Sequence, residues 1–295
     1  YSAICGYTEA DVDTVFAPEL QGLDRQAIRD WYNGYNWLGE AVYNPFDVLL
    51  LFDKREFRPY WFETGTPTFL VEWLRARGYF TPQLEETYAD DALLSSFDVE
   101  SIQPEAMLWQ TGYLTFQERI READFTINRL RLPNLEVRMA LNRALLAGWT
   151  ENAAVVSQQG LLVRRALAQG DTARFRQALE SLYATIPHDW YRANPITQYE
   201  GYWASVFYSH LAALGLELIA EDVTNHGCID LTVKLPERIY LFEFKVVPDQ
   251  ATGQALAQLR AKAYADKYRA DGRPLHLVGI EFSRQQRNVV GLDVA

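Results

Sequence analysis

Two β-rich runs in the last third of the chain restrict the fold more than any other feature. They span residues 229–235 and 239–247, and Pro236-Glu237-Arg238 separates them. Runs rich in β-branched and aromatic residues, joined by so short a segment, predict an antiparallel hairpin. The apolar faces of this hairpin must be covered by other elements, so the residues around it decide the fold class.

Helices and further strands are predicted on both sides of the hairpin. Apolar side chains recur with helical spacing over 197–214, Gly215 follows as a C-cap, and a short strand is expected at 216–222. A long helix is predicted at 251–268 and an apolar strand at 275–282. This order predicts an α/β (α+β) fold in which a mixed sheet is flanked by helices.

The hairpin also carries charged residues inside its apolar runs. Asp230 belongs to the first run, and Glu243 and Lys245 belong to the second. Because side chains alternate along a strand, Glu243 and Lys245 project from one face, and Asp230 can lie beside them. Two carboxylates and an ammonium are costly to bury without a cation or a hydrogen-bond network. We therefore predict a divalent metal site whose oxygen ligands suit Mg²⁺ or Mn²⁺.

The front part of the chain is rich in aromatic residues and is predicted to be mostly helical. Asn33-Gly34 predicts a tight turn, and Thr64 and Pro67 predict a helix start. Predicted helices lie at 46–52, 67–77, 134–149, 152–168 and 171–185, and a hairpin joins strands 113–116 and 125–132 through a charged turn at 118–124. The predicted domains are 1–150, then a helical pair at 151–196 that bridges to or opens the next domain, and 197–295.

The charge balance is acidic, and the acidity belongs to the front. The chain has 28 Lys or Arg and 39 Asp or Glu, a formal net charge of −11. Residues 197–295 contribute ten basic and twelve acidic residues, so most of the excess lies in 1–196. This balance argues against a protein that coats nucleic acid by bulk electrostatics. Within the back part, the basic residues of 260–273 form either an ordinary solvated helix face or a surface that contacts phosphates.

Composition also bears on the compartment. No stretch approaches the roughly 20 apolar residues of a membrane helix. We expect no secretory leader, and with Cys5 and Cys228 as the two cysteines we expect no disulfide framework. We expect a cytoplasmic protein without a membrane partner. The chain begins at Tyr1, which suggests a piece of a longer protein.

An ordered set of motifs resembles a known family over nearly the whole chain. Asp230 followed by Glu243-x-Lys245 resembles the PD-(D/E)XK nuclease superfamily. Further matching motifs are Gln198-Tyr199-Glu200-Gly201-Tyr202, Thr224-Asn225-His226-Gly227, Tyr240 to Lys245, Gly279-Ile280-Glu281-Phe282-Ser283 and Arg287-Asn288. The matching front motifs are Trp31 to Trp37, Tyr43-Asn44-Pro45-Phe46 and Tyr60 to Pro67. The chain resembles the nuclease domain, and the tail of the preceding region, of bacterial AAA-ATPase-like/PD-(D/E)XK fusion proteins.

The resemblance implies a restriction-endonuclease-like αβββαβ core and a set of site residues. Asp230 and Glu243 would hold the metal, with the Phe244 carbonyl as a further ligand, and Lys245 would orient or activate the attacking water. Glu200 matches the first-helix acid of the superfamily. The expected catalytic residues are Glu200, Asp230, Glu243, Lys245 and Gln258, and the expected nucleic-acid contacts are Arg260, Lys262, Tyr264 and Lys267.

Two features depart from the family pattern. Cys228 stands two residues before Asp230, where an Arg is expected, and Tyr264 follows Gln258 by six residues instead of four. No Gly-x4-Gly-Lys-Ser/Thr loop occurs, so we expect no ATPase activity from these residues.

The predicted function is a metal-dependent nuclease that acts on nucleic-acid phosphodiester bonds, on DNA rather than RNA. Its expected partner is the missing N-terminal ATPase-like region, and homo-oligomerisation is left open. The alternative is a catalytically silent nuclease-like module that binds nucleic acid or a protein partner. The acidic balance favours this binder, whereas the complete set of core residues favours the enzyme. A structural relic that only oligomerises the ATPase is a third alternative.

Overall fold

The computed structural model describes residues 2–63, 68–96, 102–123, 125–150, 153–187 and 200–295. The chain divides into two compact units, Tyr1–Thr68 with Gln83–Leu141 and Phe69–Pro82 with Asn142–Ala295. The predicted helix start at Thr64 to Pro67 and residues 197–199 of the predicted helix 197–214 lie outside the described residues. The domain division at 150 and 196 stays a prediction.

Short helices dominate the front of the chain. The helices of residues 2–150 are α1 (Glu9–Thr14), α2 (Arg25–Tyr32), α3 (Pro45–Lys54), α4 (Tyr60–Glu63), α5 (Thr68–Ala76), α6 (Asp91–Leu94), α7 (Pro104–Gln110) and α8 (Leu135–Thr150), with a 3₁₀ helix at Thr81–Glu85. The strands are β1 (Thr87–Ala89), β2 (Thr115–Glu122) and β3 (Phe125–Arg131). Helix α3 begins where the Asn44 side chain accepts the Phe46 amide hydrogen and Pro45 occupies the first helical position.

Strands β1, β3 and β2 form an antiparallel sheet in the first unit. The predicted hairpin of β2 and β3 is confirmed, but the predicted charged turn at 118–124 is wrong. Strand β2 continues to Glu122, after a register shift between Phe116 and Glu118. The charged residues of 118–122 pair across the ladder instead of turning, as in the 2.9 Å ion pair between Arg129 and Glu118.

The second unit is built on a five-stranded mixed sheet. In chain order its later elements are α9 (Ala153–Gln169), α10 (Thr172–Ala184), α11 (Glu200–Ala212), β4 (Glu217–Thr224), β5 (Gly227–Leu235), β6 (Arg238–Val247), α12 (Gln254–Ala261), a 3₁₀ helix (Tyr264–Asp271), β7 (Leu275–Ser283) and β8 (Asn288–Val294). The strand order is β4-β5-β6-β7-β8. Only the β6–β7 pair is parallel in this sheet, and α12 lies in its crossover connection.

The predicted fold class is confirmed. The β5–β6 hairpin, the mixed sheet and the helices α3, α5, α8, α9 and α10 form within a few residues of their predicted bounds. Asp171 caps α10 by accepting the Arg174 amide hydrogen at 3.0 Å, as its position after Gly170 predicts. Strand β8 was not predicted. Among the described residues, every helix is too short or too polar to cross a lipid bilayer.

Apolar layers cover both faces of the five-stranded sheet. On one face, aromatic rings of α10 and α11 pack on the strands: Phe207 lies 5.0 Å from Phe244, and Trp203 stacks on Phe282 at 5.1 Å between ring centroids. A second buried cluster joins Ile229, Ile239 and Leu241 of the strands to Leu259, Tyr264 and Tyr268. The candidate site lies where these strands carry their charged residues.

The predicted long helix at 251–268 is wrong in one respect. Helix α12 ends at Ala261, Ala263 has a left-handed φ of 49°, and the chain continues as a 3₁₀ helix from Tyr264. The break directs Tyr264 and Tyr268 into the core against the sheet. Burial of these two rings outweighs the cost of one left-handed alanine, which is on the order of 1–2 kcal/mol.

Candidate active site

Asp230 lies where strand β5 loses its regular pairing. The pairing of β5 with β6 stops at Leu231, and the pairing of β5 with β4 omits Asp230 and Glu221. Glu221 has a φ of 48°, which is uncommon for a residue other than glycine. The Phe244 amide donates a hydrogen bond to Asp230 Oδ2 at 2.7 Å. The irregular backbone therefore allows the Asp230 carboxylate to reach strand β6.

Lys245 lies among the carboxylates. Its Nζ is 3.3 Å from Glu243 Oε1 and 3.6 Å from Glu200 Oε1. Glu200 is the first residue of α11, so the start of this helix and the end of β6 meet at the site. Gln258 of α12 donates a hydrogen bond to Glu243 Oε1. These contacts bring together four of the predicted catalytic residues.

The protonation equilibria of these groups are coupled. Burial raises the pKa of Glu243 to about 7, and the Asp230 carboxylate adds to this effect. Burial also raises the pKa of Asp230 to about 6, although the Phe244 amide lowers it. Burial alone would lower the pKa of Lys245, but the Glu200, Glu243 and Asp230 carboxylates raise it above its ordinary value. Lys245 is therefore a persistent cation among carboxylates that hold protons unusually well.

The carboxylate oxygens of the site fit a divalent cation. Glu243 is 1% exposed, and its Oε2 has no hydrogen-bond partner among the described residues. A buried carboxylate oxygen without a partner is costly, and a bound cation would offset that cost. Within the described residues, no three His, Cys, Asp or Glu side chains are grouped so that they alone could hold a metal. Mg²⁺ commonly binds to one or two carboxylates and keeps water or phosphate oxygens as further ligands.

Glu281 of β7 is a residue that sequence reasoning missed. Its carboxylate accepts hydrogen bonds from the amides of Gly253 at 3.1 Å and Ala255 at 3.2 Å, and from both the amide and the hydroxyl of Thr252. Burial alone would raise the pKa of Glu281, but these hydrogen bonds lower it. Because Gly253 has no side chain to cap α12, Glu281 caps the helix that carries Gln258.

The predicted nucleic-acid contacts lie in two different settings. Arg260 and Lys262 are exposed at the end of α12. Lys267 instead forms an ion pair with the buried Asp222 and donates to the Val223 carbonyl at 2.8 Å. Tyr264 is 2% exposed and belongs to the sheet core. Tyr264 and Lys267 thus hold the 3₁₀ segment against the sheet.

Cys228 takes the position where the resemblance leads us to expect an Arg. Its thiol lies 3.6 Å from Glu221 Oε2, to which it donates. Burial, together with the Glu221 carboxylate, raises the pKa of Cys228 to about 12. The side chain is therefore a neutral thiol near neutral pH, and it brings no positive charge to a phosphate.

Comparisons with known proteins identify the superfamily of one segment, residues 198–291. Over all 295 residues the chain is 61% identical to a protein from Azotobacter chroococcum mcd 1 named "Uncharacterized protein in vnfD 5'region", and it spans 57% of that relative's length. No solved structure matches the chain at a significant level. The ATPase-like character of the front part stays a prediction. Residues 198–291 match a family model of the PD-(D/E)XK nuclease superfamily, and this segment of the chain is a domain of that superfamily.

Proposed function

We propose that this domain hydrolyses the phosphodiester bonds of nucleic acid with Mg²⁺ or Mn²⁺ as cofactor. The observation that carries the proposal is the meeting of Lys245 with Glu200 and Glu243, beside Asp230 on the neighbouring strand. One buried and one half-buried carboxylate, both with raised pKa values, and one cation form a set of groups typical of catalytic sites. Membership of residues 198–291 in a superfamily of nucleases supports the same reaction.

Asp230 and Glu243 would hold the metal, with the Phe244 carbonyl as a further ligand. When bound, such an ion lowers the pKa of a coordinated water and neutralises charge on the phosphate. Gln258 fixes Glu243 by its hydrogen bond to Oε1, which leaves Oε2 without a partner among the described residues. The chain therefore holds one carboxylate oxygen in place and presents the other.

Lys245 and Glu200 have different roles in this proposal. The Lys245 ammonium orients the attacking water and donates to the oxygen on which negative charge develops. Glu200 Oε1, 3.6 Å from Lys245 Nζ, holds the ammonium in that position. Arg260 and Lys262, both exposed, contact the nucleic-acid backbone. We leave Lys267 and Tyr264 out of this surface, because the first pairs with Asp222 and the second is buried.

We also propose that the domain acts with an ATPase-like region of a longer protein. The support is the resemblance of the front motifs to such proteins and the 57% of the relative's length that this chain spans. DNA is the proposed substrate, and RNA is its competitor in the test below.

The test is cleavage of labelled single-stranded and double-stranded DNA and RNA in the presence of Mn²⁺. The parent chain should cut at least one DNA substrate, and Asp230→Asn should abolish both cutting and the tighter divalent-metal site seen by calorimetry. Asp293→Asn, the same substitution at an exposed position of β8, should leave both unchanged.

Two results would contradict the proposal. Asp230→Asn with parental metal affinity would show that the metal site is wrongly assigned. A parent that binds nucleic acid but cuts none of the substrates, also after addition of the ATPase-like region, would favour the silent binding module.

A further inference from the structure

A cavity beside the candidate active site is lined by two kinds of side chain, which we name its apolar wall and its acidic wall. About 420 Å³ of space at this cavity holds no protein atoms, and this figure includes open solvent. One wall is aromatic and apolar, with Phe80, Pro82 and Tyr208. The other wall is acidic, with Glu200, Glu221 and Asp230. Because Asp230 and Glu200 also belong to the candidate active site, the cavity and that site are continuous.

Hydrogen bonds fix residues 80–82, which are distant in sequence, at the apolar wall of the cavity. The Thr81 hydroxyl donates to the Ser205 carbonyl at 3.1 Å, and the Ser209 hydroxyl donates to Thr81 Oγ1 at 3.0 Å. The Thr81 amide donates to the Ser205 hydroxyl at 3.3 Å. All three side chains are buried, so residues 80–82 are fixed on α11. A Cβ atom added to Gly201 would lie 3.5 Å from the Phe80 ring, so this ring lies directly over the helix backbone.

We propose that this cavity receives the nucleobase next to the bond that is cut. The inference rests on the proposed nuclease function and adds a base-binding site to it. A phosphodiester at Asp230 carries a base only a few bond lengths away, and the neighbouring cavity offers the half-buried Phe80 ring to that base. Aromatic side chains stack on bases with little regard to sequence. Since a base inside a duplex is stacked on its neighbours, the substrate is single-stranded or has an unstacked nucleotide at this point.

The acidic wall gives the cavity a preference among bases. Glu221 is the carboxylate of this wall to which the proposed chemistry gives no role. A carboxylate accepts hydrogen bonds from an exocyclic amino group, which cytosine and adenine have and thymine lacks. Strands of cytosine or adenine should therefore bind more tightly than strands of thymine.

The experiment separates binding of bases from binding of the backbone. The 295-residue chain is titrated, with Ca²⁺ in place of Mn²⁺, against a labelled single-stranded cytosine oligonucleotide and an abasic strand of equal length. The parent should prefer the strand with bases. Phe80→Ala should reduce that preference about tenfold by removing the stacking ring. Ala204→Leu should reduce it similarly, because Ala204 lines the cavity and the larger side chain fills it.

The control is Phe69→Ala, the same substitution at a phenylalanine that is 60% exposed on α5. It should keep the parental preference, and thermal unfolding should show that all variants are folded. If folded Phe80→Ala and Ala204→Leu proteins keep the parental preference, or if the parent binds both strands equally, the base site is refuted.

Cleavage with Mn²⁺, measured in parallel, distinguishes this inference from the function on which it rests. Cutting by the parent together with an unchanged base preference in both variants would refute the base site and support the nuclease. A base preference that both variants lose, without any cutting by the parent even after addition of the ATPase-like region, would support the base site and refute the nuclease. Absence of nucleic-acid binding would refute both.

Discussion

Lys245 is the residue whose substitution should best separate an effect on catalysis from an effect on metal binding. An ammonium cannot coordinate a cation, yet Nζ lies within 3.6 Å of two carboxylates of the site. In the proposed mechanism its charge therefore orients the attacking water and stabilises the transition state, and loss of these effects should appear in the rate. Variants of Lys245 and of the metal-holding carboxylates should fail in different ways.

We expect Lys245→Ala to lower the cleavage rate by about 10²- to 10³-fold and to leave divalent-metal affinity within a few fold of the parent. Rate is measured on labelled DNA with Mn²⁺, and affinity by calorimetry. Lys54→Ala, at an exposed lysine that pairs with Asp53, is the control. Equal rates for Lys245→Ala and the parent would indicate a contaminating nuclease or a different site.

Metal affinity should rise with pH. The pKa of Glu243 is about 7 and that of Asp230 about 6, so below pH 6 both carboxyls hold protons that a metal must displace. The dissociation constant for Mn²⁺ should fall by at least about tenfold between pH 6 and pH 8. Titrations at constant ionic strength measure this slope, and Glu243→Gln should flatten it. A parental affinity independent of pH would contradict the assignment of these ligands.

At the scale of single residues, the positions of the charged side chains on the β5–β6 hairpin could be predicted better than the residues around them. Glu243, Lys245 and Asp230 were predictable because strand alternation and the order of the motifs restrict where they lie. Phe80 was not predictable, because hydrogen bonds between Thr81 and α11 join residues more than 120 positions apart. Lys267 resembled a phosphate contact in sequence, since charge alone does not reveal its buried partner Asp222.

At the scale of elements, helix α12 depends on a residue of strand β7. Gly253 gives this helix no capping side chain, and Glu281 of β7 accepts the amide hydrogens at its start. The helix then delivers Gln258 to Glu243. A change at Glu281 should therefore affect both stability and the metal site.

We expect Glu281→Ala to lower the free energy of unfolding by about 1–3 kcal/mol, because buried amides lose a charged acceptor. Weaker Mn²⁺ binding should accompany this loss, since Gln258 is less well held. Urea unfolding and calorimetry measure the two effects. Glu237→Ala, in the exposed turn between β5 and β6, is the matched control. Unchanged stability in Glu281→Ala would show that the cap is dispensable.

Element types were more predictable than element bounds. Apolar periodicity was sufficient for the β5–β6 hairpin and for α8, α9 and α10. It did not predict the end of α12 at Ala261, because the break follows from packing of Tyr264 and Tyr268 on the sheet. Nor did it predict that the charged residues 118–122 continue β2, since their partners on β3 become visible only with the strand register.

At the scale of the whole molecule, each unit has its own buried carboxylates. In the first unit, Asp47 of α3 and Glu136 of α8 are both fully buried, and the Trp61 amide donates to Glu136 Oε1 at 2.8 Å. Burial and the nearby Asp47 raise the pKa of Glu136 far above its ordinary value. This unit therefore contains a carboxyl group that stays protonated near neutral pH.

The sign of the resulting pH dependence follows from the raised pKa. Below about pH 4.5 the stabilisation from Glu136 is complete, and it declines as pH rises toward the folded-state pKa, because only the unfolded chain ionises. We compare the change in the free energy of unfolding that Glu136→Gln causes at pH 8 and at pH 4.5. This change should be more favourable at pH 8 by about 1–3 kcal/mol. Urea unfolding at both pH values measures this, with exposed Glu56→Gln as control. An effect of Glu136→Gln that is the same at both pH values would contradict the raised pKa of Glu136.

The attachment of residues 80–82 to α11 limits how this domain can be transplanted. A fragment that starts at the family boundary, residue 198, would keep Asp230, Glu243 and Lys245 but would lose one wall beside them. The compact unit that contains the site is discontinuous, because it consists of Phe69–Pro82 and Asn142–Ala295. Any graft onto another protein must therefore carry both pieces, joined by a linker that replaces residues 83–141.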